Sequence, residues 1–293
     1  MKAMITDIKR FAVHDGDGIR TTVFFKGCSL KCRWCHNPET IYPKPQIAFF
    51  EHKCVLCGEC LKVCPNHTFS NGRHLYNRSG CKLCQRCVNV CPKNALVLYG
   101  REAETDEICE ILKQDAAFYE TSGGGITLSG GECLLQPEAC REILKNMKSC
   151  GINTAIDTAG CVPTENINTV FEYTDTFLYD IKHISTQKHK TGTGKGNEQI
   201  LKNLEHISEA GGKIEIRIPI IPDFNCDKKT ITEIGLYLSK VKGITKIRLL
   251  PYHNYAQSKY TALGFSDILP EIEEINLEEY KNILLRNNLN VIY

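Results

Sequence analysis

The sequence predicts an α/β fold with a parallel sheet, in the form of a partial (β/α)6 barrel of the TIM type. Short β-branched or apolar runs alternate along the chain with stretches whose apolar residues have helical spacing. Six such units fit a barrel or part-barrel better than an open sheet, although periodicity does not prove closure. A cysteine-dense segment interrupts the alternation after the first run, which predicts a separate insertion.

The candidate strands are short and apolar, as buried strands are. They are "RTTVFFKG" (20–27), "GITLSG" (125–130), "NTAIDTAG" (153–160), "TFLYDIK" (176–182), "KIEIRIPII" (213–221) and "KIRLLPYH" (246–253). The helical stretches are "TDEICEILKQDAAFY" (105–119), "PEACREILKNMKSCG" (137–151), "NEQILKNLEHISEAGG" (197–212) and "KKTITEIGLYLSKVKG" (228–243). Several of them end at Gly, as a helix C-cap would. Regular alternation implies right-handed crossovers between parallel strands.

Composition excludes several classes of protein. The chain has 293 residues, 42% hydrophobic and 24% charged, with a formal net charge of +2 and no clustered basic stripe. We therefore expect no nucleic-acid partner. No apolar run approaches the ~20 residues that cross a bilayer, and "MKAMITDIKRFAVHDGDGIR" has no signal-peptide core, so we expect a cytoplasmic protein, monomeric when alone, with no membrane partner. Seventeen cysteines in a reducing compartment indicate metal binding or reactivity rather than disulfides.

Eight of the cysteines form an internal repeat. "CVLCGECLKVCP" and "CKLCQRCVNVCP" both read C-x2-C-x2-C-x3-C-P, the bacterial ferredoxin run for [4Fe–4S] clusters, in which the fourth Cys ligates the other cluster. Two structural zinc sites are the alternative, but zinc modules normally use two separated C-x2-C pairs. We expect a ferredoxin-like α+β domain at 49–98, inserted into a core of 1–48 and 99–293. The predicted ligands are Cys54, Cys57, Cys60 and Cys91 for one cluster, and Cys64, Cys81, Cys84 and Cys87 for the second.

Polar residues recur where the predicted strands end, and in parallel barrels the ligand site lies at that edge. Gly-Gly alone is usually a turn and a lone His usually structural, but recurrence at one edge favours a site. The residues are "SGGE" (129–132), "DTAG" (157–160), "DIK" (180–182), Arg217 and His253.

The loop after the first strand, "GCSLKCRWCHNPET" (27–40), has three closely spaced thiols in a C-x3-C-x2-C pattern: Cys28, Cys32 and Cys35. A cluster held by three thiolates leaves one iron open to a ligand, by the same logic as a catalytic zinc with three protein ligands. The alternative is a zinc ion completed by His36.

This loop resembles the signature of the radical S-adenosylmethionine (SAM) superfamily. Together with "HDGDGIRTTVFFKGC", "SGGGITLSGGE", "DTAG", "YDIK" and "LLPYHNYAQSKY", it resembles the activating enzymes of glycyl radical enzymes, from about Asp7 to Leu263. The resemblance is to the larger, two-cluster members. It implies reductive cleavage of SAM at the open cluster and abstraction of a glycine Cα hydrogen from the partner by the 5′-deoxyadenosyl radical.

The resemblance also implies roles for single residues. Gly130, Gly131 and Glu132 would engage the SAM amino group, and Lys182, after Asp180 and Ile181, its carboxylate, both by charge-assisted bonds. Trp34, Cys35 and His36 would meet the adenosine, largely through backbone, and His253 the cofactor. Asp157, Thr158 and Asp180 would bind a monovalent cation, or else cap their loops. Asp15 would anchor the partner's glycine loop, or else lie in a tight turn.

Two positions depart from the family pattern, since Asp17 and Cys133 replace the usual prolines. The resemblance implies a flavodoxin- or ferredoxin-type reductant and three [4Fe–4S] clusters, the two extra ones serving as a relay or as a brace. The resemblance allows Arg217 to contact either the cofactor or the peptide of the partner. A radical SAM enzyme for a small molecule or free peptide, and a ferredoxin-like electron carrier, are the alternatives; "DGDGIR" favours the activating enzyme over the former.

Overall fold

A computed structural model describes residues 1–266, 269–271 and 274–293. Its strands are β1 (Lys2–Ala12), β2 (Arg20–Phe25), β3 (Gln46–Phe49), β4 (His67–Ser70), β5 (Arg73–Tyr76), β6 (Leu96–Tyr99), β7 (Arg101–Glu104), β8 (Gly125–Gly130), β9 (Asn153–Thr158), β10 (Thr176–Asp180), β11 (Ile214–Ile220), β12 (Ile244–Pro251) and β13 (Val291–Ile292). Its helices are α1 (Glu59–Val63), α2 (Arg86–Asn89), α3 (Thr105–Lys113), α4 (Ala116–Ser122), α5 (Pro137–Ser149), α6 (Thr164–Phe171), α7 (Thr186–Thr193), α8 (Glu198–Glu209), α9 (Lys228–Leu238), α10 (Gln257–Leu263) and α11 (Leu277–Leu285).

Nine strands form the main sheet, in the order β13-β12-β11-β10-β9-β8-β2-β1-β7. The strands from β2 to β13 in this order pair in parallel, whereas β1 is antiparallel to both of its neighbours. Six of the parallel strands, β2 and β8–β12, overlap the six predicted runs, so the predicted α/β class with a parallel sheet is confirmed. Within the described ranges the sheet has two ends, at β7 and β13.

The central strands of the main sheet are largely buried. Five of the six residues of β8 are buried, as are five of the six in β2. Parallel strands covered on both faces have this pattern of burial. The longer helices each bury one stripe; in α5 it contains Ala139, Cys140, Ile143, Leu144 and Met147, the spacing of an amphipathic helix.

The stretch predicted to be helical at 105–119 contains two helices, α3 and α4. The break falls next to Asp115, which is fully buried. The Asp115 carboxylate pairs with Arg10 and accepts a hydrogen bond from Thr21, 2.7 Å away. These partners lie on β1 and β2, so a long-range contact sets a boundary that local periodicity did not predict.

Residues 46–99 form two small antiparallel sheets, β3–β6 and β4–β5, together with α1 and α2. They have an apolar cluster of their own: Ile47, Phe49, Cys60, Cys87, Ala95 and Leu96. No described helix is both long and apolar enough to cross a membrane.

Candidate active site

The loop of residues 27–40 follows β2 and is fixed by backbone hydrogen bonds to the last turn of α7. Lys31 N–H donates to the Thr193 carbonyl at 2.8 Å, and Arg33 N–H donates to the Gly192 carbonyl at 3.0 Å. Carbonyls at a helix C-terminus have no partner within the helix. Helix α7 therefore positions this loop, although its sequence has few apolar residues and did not predict a helix.

Cys28, Cys32 and Cys35 are partly exposed as residues, yet burial raises the pKa of all three thiols, that of Cys35 to about 12. The Lys182 ammonium acts in the opposite direction on Cys32 and Cys35. A buried thiol gives up its proton when a metal binds in its place. Three such thiols in one loop fit a metal cluster and do not need one another as disulfide partners.

Two lysines hold the end of this loop. Lys26 donates to the Glu39 carbonyl. Lys259 on α10 forms an ion pair with the Glu39 carboxylate at 2.5 Å, and donates to Asn37 Oδ1 at 3.3 Å and to the His36 carbonyl at 3.4 Å. Since Glu39 is buried, its charge depends on Lys259.

Gly130 and Gly131 allow the end of β8 to approach the backbone around β2. Gly130 has φ of +123°, and a Cβ there would lie 2.2 Å from the Phe25 carbonyl oxygen. A Cβ on Gly131 would lie 2.3 Å from the Gly27 carbonyl oxygen. With no side chains in the way, Glu132 N–H donates to that same oxygen at 2.8 Å. The two glycines therefore place Glu132 beside the three-cysteine loop.

Glu132 is fully buried and accepts hydrogen bonds from three donors. Thr158 Oγ1 lies 2.8 and 2.9 Å from its two oxygens, and the N–H groups of Ala159 and Leu134 lie at 3.1 and 3.2 Å. Burial nevertheless raises the pKa of Glu132 to about 7, with Asp157 adding to the shift. This carboxyl has hydrogen-bond donors, but no cation pairs with it among the described residues.

Asp157 lies at the end of β9, where it accepts a hydrogen bond from Ser129 Oγ at 2.7 Å and has Arg217 Nη1 at 3.3 Å. Burial raises the pKa of Asp157 to about 6, although Arg217 opposes this shift. The next residue, Thr158, uses its hydroxyl for Glu132. Of the predicted cation ligands, Asp157 is thus paired with Arg217 and Thr158 supports a neighbouring carboxylate.

Asp180 ends β10, and its carboxylate lies 2.5 Å from the Lys182 ammonium. Burial opposes the Lys182 charge, but Asp180 and the thiols of Cys32 and Cys28 outweigh it and raise the Lys182 pKa. Asn225 fixes this loop, because its fully buried amide donates to the Lys182 carbonyl at 2.9 Å. Ile181, between Asp180 and Lys182, is buried in the main core.

The rings of His36 and His253 stack with centroids 3.9 Å apart and an interplanar angle of 17°. Burial and His253 lower the pKa of His36 to about 4, so the ring is neutral. Within the described chain, His36 Nε2 and His253 Nδ1 are buried without a hydrogen-bond partner. Unpaired buried polar atoms are costly, so this pair suits an additional ligand. Trp34 instead packs on Phe224, with centroids 4.4 Å apart.

The segment that contains Asp15 is a packed turn held by hydrogen bonds. The Asp15 carboxylate accepts from Thr22 at 2.8 Å, and its carbonyl accepts from Thr127 at 2.6 Å. Arg20 is 2% exposed and donates to Thr127 and to the Ile126 carbonyl. The segment joins β1 to β2, and the side chain of Asp15 is half-buried at its surface. Burial opposes the charge of Arg217, but Asp157, Asp180 and Asp15 together raise its pKa.

We name the two predicted ligand groups of the repeat cysteines the first cysteine set (Cys54, Cys57, Cys60 and Cys91) and the second cysteine set (Cys64, Cys81, Cys84 and Cys87). Burial is the main cause of the raised pKa of Cys60, and the neighbouring charges that raise it further are those of the other members of the first set. For Cys87 they are Cys64 and Cys81. All four members of the first set line one pocket.

Sequence reasoning missed several residues that position this site. Arg20, Asn225 and Lys259 hold the predicted loops, and the buried histidines His67 and His74 lie beside the first cysteine set. Burial lowers the pKa of His67 to about 4 and that of His74 in the same direction, so both are neutral. Asn71-Gly72, between the short runs "HTFS" and "RHLY", was the available signal of a hairpin. The partners of Arg20, Asn225 and Lys259 are distant in sequence.

Residues 22–233 match the family model of the Radical SAM superfamily. The chain belongs to the radical SAM superfamily and is an enzyme. It is 41% identical over 94% of its length to the choline trimethylamine-lyase activating enzyme of Oleidesulfovibrio alaskensis, of which 93% is covered. It is 40% identical over 99% of its length to the trans-4-hydroxy-L-proline dehydratase activating enzyme of Clostridioides difficile, of which 98% is covered.

Among solved structures, a radical SAM methyltransferase from Sphaerobacter thermophilus has a TM-score of 0.53 at 11% identity, with 99% of this chain and 72% of that chain covered. At this identity the likeness concerns the fold alone. It supports the α/β architecture with a parallel sheet that the strand order displays.

Proposed function

We propose that this protein is the activating enzyme of a glycyl radical enzyme. The observation that carries the proposal is the convergence of three buried thiols with a buried carboxyl, Glu132, and a buried ammonium, Lys182. The similar proteins of known name are activating enzymes for a lyase and a dehydratase. A bound [4Fe–4S] cluster and SAM would supply the electron and the 5′-deoxyadenosyl radical that takes hydrogen from a glycine Cα.

The residues of the site have complementary tasks in this proposal. Cys28, Cys32 and Cys35 hold the cluster and leave one iron for the ligand. Glu132, with the backbone of Gly130 and Gly131, receives the amino group of SAM, and Lys182 receives its carboxylate. Trp34, Cys35 and His36 contact the adenosine in this proposal, and His253 contacts the cofactor. Asp180 and Ile181, at the end of β10, position Lys182.

Three further assignments complete the proposal: a cation, the role of Asp15 and the electron donor. A monovalent cation bound by Asp157, Thr158 and Asp180 would have to share these oxygens with Arg217, Glu132 and Lys182. Asp15 receives the glycine loop of the partner in this proposal; its charge is one of those that act on Arg217, the cation beside Asp157 near the end of β9. The electron donor in this proposal is a flavodoxin- or ferredoxin-type protein.

We further infer that residues 49–98 are a ferredoxin-like domain inserted into a partial (β/α)6 barrel formed by 1–48 and 99–293. The spatial grouping of the two cysteine sets supports one [4Fe–4S] cluster in each, and the small separate core at Ile47 and Phe49 supports an independent unit. Reconstituted protein would then contain about 12 irons per chain, and a Cys32→Ala variant about 8. A parent chain with about 4 irons would contradict the auxiliary clusters but leave the SAM cluster intact.

The decisive experiment is anaerobic incubation with SAM, a reductant and candidate glycyl radical enzymes. We expect a carbon-centred doublet in the electron paramagnetic resonance spectrum of the partner, and no doublet with the Cys32→Ala variant. A Cys150→Ala variant, at an exposed cysteine outside the site, is the matched control and should behave as the parent. Formation of 5′-deoxyadenosine without a radical on any protein partner would contradict the proposal and favour a small-molecule substrate.

A further inference from the structure

The hairpin β4–β5 lies in sequence between the two cysteine repeats, "CVLCGECLKVCP" and "CKLCQRCVNVCP", and turns one face toward the cysteines. His67 pairs across the hairpin with Tyr76, and Phe69 pairs with His74. Residues opposite each other, or two apart, share a face of a strand pair. His67 and His74 on this face are buried, whereas Thr68 and Leu75 on the other face are exposed.

The ring of His74 contacts two members of the first cysteine set. Its Nδ1 lies 3.5 Å from Cys54 Sγ, and its Nε2 lies 3.6 Å from Cys60 Sγ. Phe49 and Phe69 pack edge-on to this ring, with centroids 4.4 and 5.3 Å away. The ring is therefore held on both sides, and its nitrogens are fixed relative to the sulfurs.

His67 determines which nitrogen of His74 carries the proton. His67 Nδ1 lies 2.9 Å from His74 Nε2, so one of these two atoms donates to the other. His67 Nε2 is buried and has no partner among the described residues. If His74 donated to His67, that Nε2 would carry an unpaired N–H, and buried orphan N–H groups are rare. The favoured arrangement has His67 Nδ1–H donating to His74 Nε2, which leaves the proton of His74 on Nδ1, facing Cys54.

A thiolate that binds iron can only accept a hydrogen bond, so this arrangement suits a cluster ligand. The reverse arrangement would place a lone pair of His74 Nδ1 against the Cys54 sulfur, 3.5 Å away. In the favoured arrangement the lone pair of Nε2 accepts the N–H of His67, and Cys60 Sγ lies slightly farther from that atom, at 3.6 Å. Hydrogen bonds to the sulfurs are among the features that set the potential of an iron–sulfur cluster. They stabilise the reduced state more, because its sulfurs carry more negative charge.

We propose that His74 donates a hydrogen bond to the Cys54 thiolate and makes the cluster of the first cysteine set easier to reduce, with His67 as the residue that positions it. This inference rests on the proposed function, since it requires that the first cysteine set holds a cluster. It gives the hairpin a role in electron flow through the insertion, because the hydrogen bond from His74 favours the reduced state of the adjacent cluster.

The test is a redox titration of the anaerobically reconstituted full-length protein, followed by electron paramagnetic resonance, with iron and sulfide measured in each variant. His74→Leu removes the donor, and we expect one of the reduction waves to move to lower potential by about 59 mV, the one-electron equivalent of a tenfold change. His74→Asn places an amide N–H near the position of Nδ1 and should retain most of the parent potential. Leu75→Ala, on the exposed face of the same hairpin, should leave every wave in place.

The outcomes separate the possible errors. A His74→Leu protein with full iron content and unchanged waves would overturn the inference, as would a His74→Asn protein shifted as far as His74→Leu, because ring packing would then set the potential. If His74→Leu cannot hold its iron, His67→Leu decides: it should shift the same wave downward by a smaller amount, and no shift would refute the role of His74. A parent protein without auxiliary clusters would instead defeat the proposed two-cluster insertion.

Discussion

Replacement of Gly130 by Ala is expected to disrupt the link between β8 and β2 that places Glu132. The new Cβ would lie 2.2 Å from the Phe25 carbonyl oxygen and 2.3 Å from the Phe25 nitrogen, both of them backbone atoms that belong to a central strand. A backbone conformation that L residues rarely adopt costs about 1–3 kcal/mol. Displacing packed backbone costs about 1–3 kcal/mol more. We therefore expect the free energy of unfolding to fall by about 4 kcal/mol.

Gly151 provides the matched control for the backbone part of this cost. It has φ of +72°, and a Cβ there would meet no described atom within 4 Å. Gly151→Ala should cost only about 1–2 kcal/mol, the usual penalty of a left-handed residue. Urea denaturation of both metal-free variants measures the difference, and SAM binding to the reconstituted proteins should be lost only in Gly130→Ala. Equal destabilisation of the two variants would refute the claim that close approach, rather than φ, requires Gly130.

Three further predictions concern residues around the site. Burial raises the pKa of Glu132 from an ordinary 4.5 to about 7, so between these pH values the folded chain holds a proton that the unfolded chain releases. The free energy of unfolding should therefore fall by about 3 kcal/mol as pH rises through this window. Urea denaturation at several pH values measures this slope, and Glu132→Gln should flatten it. Lys259→Met leaves the buried Glu39 carboxylate without its cation and should lower the free energy of unfolding, measured by thermal denaturation, by about 2 kcal/mol. The double variant with Glu39→Gln should recover most of this loss. Additive effects of the two substitutions would contradict an interaction between Lys259 and Glu39. Asn225→Ala should raise the KM for SAM more than it lowers kcat, because it frees the backbone of Lys182; an effect on kcat alone would argue against this role.

The parallel core was predictable because the local apolar run of each strand indicates that the strand is buried. The six runs agree with β2 and β8–β12 to within a few residues, since apolar continuity is a local property. The flanking strands β1 and β7 were not predicted. The residues of β7, "REAE", are mostly polar and form a strand only because Lys2–Ile5 pair with them from about 100 residues away.

The sequence predicts candidate site residues, but it does not indicate the residues that support them. The three-cysteine loop and the strand-end motifs are compact patterns whose spacing carries the chemistry. Helix α7 buries only His189, Gly192 and Thr193, so it has no apolar periodicity to detect, yet its carbonyls hold the loop. Arg20 is similar: its guanidinium binds Thr127 on another strand, and no local pattern in "DGDGIR" indicates that partner.

If SAM binds as we propose, the pairing of charges at the strand ends would make its two ends energetically unequal. The ligand carboxylate would compete with Asp180 for the Lys182 ammonium, which is already paired at 2.5 Å. The ligand amino group would meet Glu132, a buried carboxyl that has hydrogen bonds but no cationic partner in the described chain, and whose pKa burial raises to about 7. One end therefore exchanges one ion pair for another, whereas the other end creates a pair where none existed. We expect that removal of the amino group from SAM weakens binding more than removal of its carboxylate, and that Glu132→Gln abolishes this difference. Calorimetric titration of the cluster-loaded protein with the two analogues measures it, and a greater loss for the decarboxylated analogue would contradict this account of the charges.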